Sequence, residues 1–172
     1  VIAGENGVLL VDAEYPELNA KVLAAVARIS KKPVRQVIDT HWHWDHMGAS
    51  SMFARAGATL YSSPETRKYI IDAQQAKIDT YRPDPAAIPS ITIGSTLTFY
   101  VGSQTVEVMH VAPAHTGGDL VVRFVEADVI QTGDTFFHGF YPDIDYEHGG
   151  TIDGMIAWYD KLYAMCGPKT QI

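Results

Sequence analysis

The sequence is short of the features that most quickly assign a protein. Among 172 residues there is one cysteine, Cys166, so no disulfide can close within the chain and bridges give no compartment. Cys166 lies among apolar residues of an expected helix and reads as core rather than as a nucleophile or ligand. Positive charge is scarce: 13 Lys and Arg face 20 Asp and Glu, for a net charge of -7. The densest basic stretch, Arg28, Lys31, Lys32 and Arg35, reads as a solvated helix end. Phosphate binding needs more concentrated charge, so a nucleic-acid partner is not expected. No apolar run approaches the roughly 20 residues that cross a bilayer, so no membrane partner is expected either. No signal-peptide pattern is visible, and localisation and oligomeric state stay open. There is no Gly-x-Ser-x-Gly elbow to raise a serine nucleophile.

What remains is an ordinary globular balance, 47% apolar and 19% charged, at a length that suits one domain spanning residues 1–172. The chain opens at Val1 on a strand-like run and closes on "KTQI", which reads as the start of another strand. Both ends are therefore expected to be cuts, with a C-terminal strand and helix lying outside the sequence.

Periodicity changes along the chain. "VIAGENGVLLVD" is a hairpin signal about Asn6-Gly7. Leu18, Val22, Val26 and Ile29 predict an amphipathic helix over 16–30, entered through Pro16. "VRQVID" reads as a buried strand, "GASSMFARAG" as a helix closed by Gly57, "ATLYSS" as a strand, and residues 64–82 as a helix entered through Pro64. Alternation then predicts a hairpin about Gly102-Ser103 and two more strands about Glu126–Asp128. Thr151 or Asp153 caps a last helix carrying Ile152, Met155, Ile156, Tyr159 and Leu162, stopped by Gly167-Pro168. The fold class is thus α/β, a mixed sheet covered by helices.

The most informative stretch is "HWHWDH" at 41–46, which follows a predicted strand directly. A strand end fixes where side chains point, and alternating His41 and His43 can face the same way. Neutral imidazoles suit zinc. Asp45 and His46, displaced along the turn, leave room for a second ion beside the first. Trp42 and Trp44 read as the wall behind the loop. Two further segments share the strand-end setting: "PAHTGGD" carries His115 and "QTGDTFF" carries Asp134. His110 reads as packed near the site. The loop "GFYPDIDYE" between His138 and His148 offers Tyr141, Asp143, Asp145 and His148 as candidate substrate contacts.

In this order, "HWHWDH", "AHTGGD" and "TGDTFF" resemble the metallo-β-lactamase superfamily over essentially the whole chain. The resemblance implies an αββα sandwich with mixed sheets and a dinuclear zinc site on one edge. It implies that His41, His43 and His115 bind the first metal, that Asp45 and His46 bind the second, and that Asp134 bridges both. Asp45 would also orient the nucleophile or pass its proton. The family usually supplies one more histidine to the second metal. None follows His148 here, so that ligand is expected beyond Ile172 and the second site is incomplete within this sequence.

The expected function is zinc-dependent hydrolysis of a small-molecule ester, thioester, lactone or β-lactam. The Asp45-His46 pair with Asp134 is similar to the glyoxalase II-like and general hydrolase branches rather than to the cysteine-containing β-lactamases. The alternatives are a β-lactamase proper, a mononuclear iron dioxygenase of the persulfide type, and a non-catalytic binding protein on the same scaffold.

Overall fold

A computed structural model of the protein describes residues 1–76, 83–111 and 113–172. The first strands, β1 (Ile2–Gly4) and β2 (Gly7–Val11), form an antiparallel hairpin. Gly7 takes the positive φ of the turn, at 136°. A 3-10 turn at Pro16–Leu18 leads into α1 (Asn19–Ile29), which carries the chain over to β3 (Val34–Ile38). Helices α2 (Trp44–Met47) and α3 (Ser50–Arg55) precede β4 (Thr59–Ser62); α4 (Pro64–Gln75) precedes β5 (Ile91–Thr92). These connections make β2 to β5 parallel neighbours, in a sheet ordered β1-β2-β3-β4-β5. Parallel pairing requires such crossovers, because a tight turn can only reverse the chain.

The second sheet is antiparallel throughout. It is ordered β6 (Thr96–Val101), β7 (Gln104–His110), β8 (Leu120–Phe124) and β9 (Val129–Gln131). The last helix, α5 (Ile152–Met165), starts at Thr151, whose hydroxyl accepts from the Gly154 amide at 3.0 Å. Gln171 then bridges Val129 in parallel, so "KTQI" does begin to pair beside β9.

Strand alternation sorts the core into layers. Val8, Leu10, Val34, Val37 and Leu60 pack against Val26 of α1 and Phe53 of α3. Leu9, Ile38 and Tyr61 face the other way and meet Val106, Val108, Leu120, Val122 and Phe124 of the second sheet. The far side of that sheet, at Val121 and Ile130, is covered by Met155, Trp158 and Leu162 of α5. The order is helix, sheet, sheet, helix, an αββα sandwich. Each fully buried aliphatic side chain in the middle layer contributes roughly 1.5–3 kcal/mol of transfer free energy.

Some local expectations shift. The helix expected over 48–57 is found as α3, but a further short helix, α2, precedes it and begins inside the histidine hexad, where none was expected. The final stretch of the helix expected over 64–82 lies outside the described residues. On α5 the buried stripe is Met155, Trp158 and Leu162, whereas Ile152 and Ile156 are exposed. On α1, Val26 is the buried residue and Ile29 is exposed. The two-residue strand β5 is too short to leave a periodic signature.

Candidate metal centre

Three strands and one inter-strand loop deliver side chains to the same edge of the sandwich. Strand β2 ends at Val11 and passes to Asp12, which is buried and held at φ 57°. β3 passes to Asp39, Thr40 and His41, all buried. His115 and Thr116 are buried just ahead of β8. β9 passes to a turn in which Gly133 takes φ 53°; a Cβ there would lie 2.8 Å from Thr40 Oγ1. That turn presents Asp134.

The side chains converge. His41, His43 and His115 place one ring nitrogen each within 4.8 Å of one another. His41, His46 and Asp134 form a second such group with the same spread. Asp134 lies between them: Oδ1 is 3.2 Å from His46 Nε2, and Oδ2 is 3.8 Å from His115 Nε2. Asp45 stands outside both compact groups, its Oδ2 3.5 Å from His46 Nε2. Tyr141 is 98% exposed, in a loop with Gly139 and Phe140. Asp145 reaches His43, and His148 reaches Asp145; neither is a member of either group.

The hydrogen bonds on the outer ring nitrogens decide whether these residues suit a cation. Thr40 Oγ1 donates to Asp12 Oδ2 at 2.9 Å, so at 3.1 Å it accepts from His41 Nδ1–H. His43 Nε2–H donates to Asp145 Oδ2 at 2.9 Å. His115 Nδ1–H donates to the Asp143 carbonyl at 2.8 Å, and His46 Nδ1–H to Asp12 Oδ2 at 2.9 Å. Each bond leaves the inner nitrogen of the first three rings as a lone pair. His41 Nε2 is buried with no hydrogen-bond partner among the described residues. His43 Nδ1 and His115 Nε2 face each other at 2.9 Å. Facing lone pairs repel unless a proton or metal ion lies between them. The donor set of three imidazoles suits a borderline-soft divalent metal, and orienting partners of this kind accompany metal-binding histidines.

Electrostatics divides the two groups. Burial, reinforced by neighbouring His46, His115 and His43, holds His41 well below the usual imidazole range. Burial also lowers His43, against the opposing hydrogen bond to Asp145. For His46, burial opposes the charge, but hydrogen bonds to Asp12 and Asp134 prevail and raise it to about 11. Burial works against the Asp134 carboxylate as well, yet the His46 hydrogen bond and the surrounding imidazoles keep its pKa low. His41 and His43 are therefore held neutral, whereas His46 keeps a proton between the Asp12 and Asp134 carboxylates.

Sequence reasoning passed over Asp12. Its carboxylate accepts from Thr40 N at 2.8 Å, Thr40 Oγ1 at 2.9 Å, His46 Nδ1 at 2.9 Å and Gln131 Nε2 at 3.2 Å. The available signal was its place at the end of a strand, the setting that singled out His115 and Asp134. Asp39 was also passed over: it is wholly buried, accepts from Ser50 Oγ, and is pushed well above the carboxylate range by burial.

An αββα sandwich with such a cluster on one edge defines a metal-site architecture, and the sequence comparison agrees. The chain belongs to the metallo-beta-lactamase superfamily, whose family model matches residues 1–164. A metallo-beta-lactamase from Pontibacter korlensis has the same fold, with a TM-score of 0.75 at 21% identity over 98% of this chain and 74% of that one. The BLEG-1 B3 metallo-beta-lactamase superposes with a TM-score of 0.79 at 18% identity, covering 99% of this chain and 81% of that one. At such identities the likeness is one of fold. A curated relative is the alpha subunit of 2,4-dinitroanisole O-demethylase from Nocardioides sp. (strain JS1661), 25% identical over 142 residues, or 80% of this chain. The present chain spans 40% of that subunit's length.

Proposed function

We propose that this chain carries the catalytic metal site of a zinc-dependent hydrolase acting on a small ester, thioester, lactone or β-lactam. The observation that supports this reading is the convergence of three imidazole lone pairs on one point, with Asp134 between them and His46. His41, His43 and His115 would hold the first ion, His46 and Asp45 the second, with Asp134 between the two. Bound there, zinc would supply Lewis acidity and lower the pKa of water towards about 7.

The chain's own groups do the rest. Asp45 is 45% exposed at its side chain, so its carboxylate faces both His46 and incoming solute. In this reading it would orient a nucleophile and accept its proton at Oδ2. Trp42, Trp44, His43 and Asp45 line a shallow hollow beside the cluster, where an apolar part of a substrate would rest. No serine or cysteine nucleophile is required.

The test combines metal analysis with a substrate panel. Protein purified without chelators is analysed for zinc and iron, then assayed on an ester, a thioester, a lactone, a β-lactam and an aryl methyl ether, the last prompted by the relative's name. Hydrolysis that is lost with chelator and restored by zinc supports the proposal. Protein that holds no transition metal counts against it. Iron together with oxygen uptake on persulfides favours a dioxygenase instead.

A further inference from the structure

We propose that Asp145 is the positioning residue of the first metal site, fixing the tautomer and direction of His43; this rests on the metal-site reading above. The residue lies in the loop after Asp134, and the chain brings it back beneath the hexad. Its backbone is pinned to the His115 loop: Asp145 N donates to the His115 carbonyl at 2.8 Å, and its own carbonyl accepts from Gly150 N at 2.8 Å. Two residues earlier, the Asp143 carbonyl holds His115 Nδ1. One short segment thus orients two of the three rings, one through a main-chain oxygen and the other through a side chain.

The side chain has no capacity left for another task. Oδ2 lies 2.9 Å from His43 Nε2, 3.2 Å from Trp42 Nε1 and 2.8 Å from His148 Nδ1. Oδ1 lies 2.9 Å from His148 Nδ1 and 3.2 Å from His148 N. An ionised carboxylate accepts only, with about four lone-pair sites, so four N–H groups saturate it. Its side chain is 14% exposed. A saturated, covered carboxylate does not bind substrate, which removes Asp145 from the substrate contacts that its loop position suggested.

Because the acceptor cannot donate, His43 must carry its proton on Nε2, and Nδ1 is left to face His41 and His115. Of the three rings in this group, His43 is the one whose outer nitrogen meets a carboxylate directly; His41 meets Thr40 and His115 meets a carbonyl. A carboxylate partner raises the basicity of the imidazole it holds. His148, whose ring centroid lies 4.2 Å from that of Trp42, braces the carboxylate from its other side.

The experiment measures zinc affinity by chelator competition, and the visible spectrum of the cobalt-loaded protein, for the parent and for Asp145→Asn. The expected result is first-site affinity about 10–100-fold weaker, with a shifted cobalt band, in a variant whose metal-free circular dichroism matches the parent's. A folded variant within about twofold of the parent, with the same cobalt spectrum, overturns the role of Asp145 and leaves the metal site standing. A parent that binds neither ion overturns both. If the variant does not fold, nitrogen-15 spectra of the metal-free parent decide. His43 must then show the Nε2–H tautomer, and an Nδ1–H or averaging ring refutes the proposal.

Discussion

Replacing Gly154 by alanine sets two effects of opposite sign against each other. In an exposed helix interior the change stabilises by about 1 kcal/mol, because alanine loses less backbone entropy. Gly154, however, lies in the first turn of α5 against the loop that carries His115. A Cβ built there would sit 1.4 Å from the Pro113 carbonyl oxygen and 2.6 Å from its carbon. The helix and loop must part by roughly 1.6 Å before that contact leaves the forbidden range. Two bonds span the same seam, Thr151 N to the Ala114 carbonyl at 3.0 Å and Thr151 Oγ1 to the Pro113 carbonyl at 3.2 Å. Forced overpacking costs about 1–3 kcal/mol and each weakened bond about 1 kcal/mol. The net expectation is a loss of about 2–4 kcal/mol, or a melting temperature lower by roughly 4–16 °C for a chain of this size. Thermal and urea denaturation of metal-free protein measure it. Gly94→Ala is the control, since nothing lies within 4 Å of its Cβ position, and it should be neutral or slightly stabilising. Gly154→Ala protein as stable as the parent would show that the helix and loop part freely, and the tight seam behind His115 would be refuted.

Other expectations follow from the cluster. His41→Ala removes a proposed ligand that is 1% exposed, and first-site zinc affinity should fall by at least about 100-fold in chelator competition; unchanged stoichiometry and affinity would remove His41 from the proposed ligand set. Asp12→Ala strips a carboxylate from Thr40, His46 and Gln131 together and should cost about 3–5 kcal/mol in urea denaturation of metal-free protein, a cost below 1 kcal/mol showing that water replaces it. His46 sits at about 11 in the metal-free fold against an ordinary 6.5, so its proton's stabilising contribution is complete below the lower value and is lost as pH rises through the upper one. A cation taking Nε2 at pH 8 must displace that proton, and calorimetry in buffers of differing ionisation enthalpy should register about one proton released per second-site ion. Metal uptake without proton release would contradict the assignment of His46.

The cluster was legible because its parts share a setting. His41, His115 and Asp134 each sit beside an apolar, strand-like run, and side chains at strand ends are held in place by the sheet. Asp12 has the same setting but follows its apolar run with no histidine near it in the sequence to mark it. Asp145 was visible only as a loop carboxylate. Which neighbour it serves depends on the chain folding back beneath the hexad, and no periodicity records that. The layered architecture followed from the change from helical to alternating patterns. The register of α5 did not, because Ile156 and Trp158 are both apolar and only contact with Val121 and Ile130 chooses between them.

The groups around the cluster are drawn from both layers of the sandwich: the hexad from the end of β3 in one sheet, His115 and Asp134 from the flanks of β8 and β9 in the other. A cation held among them would act as a rivet through the two sheets, and a rivet whose grip is set by concentration. At a free ion level of 100 times the dissociation constant it would add about 2.7 kcal/mol to the folded state, and at 1,000 times about 4.1 kcal/mol. The melting temperature would then report the metal content of the medium as much as the packing of the core. Starvation for the ion would first weaken the seam between the sheets, at the edge that carries the cluster.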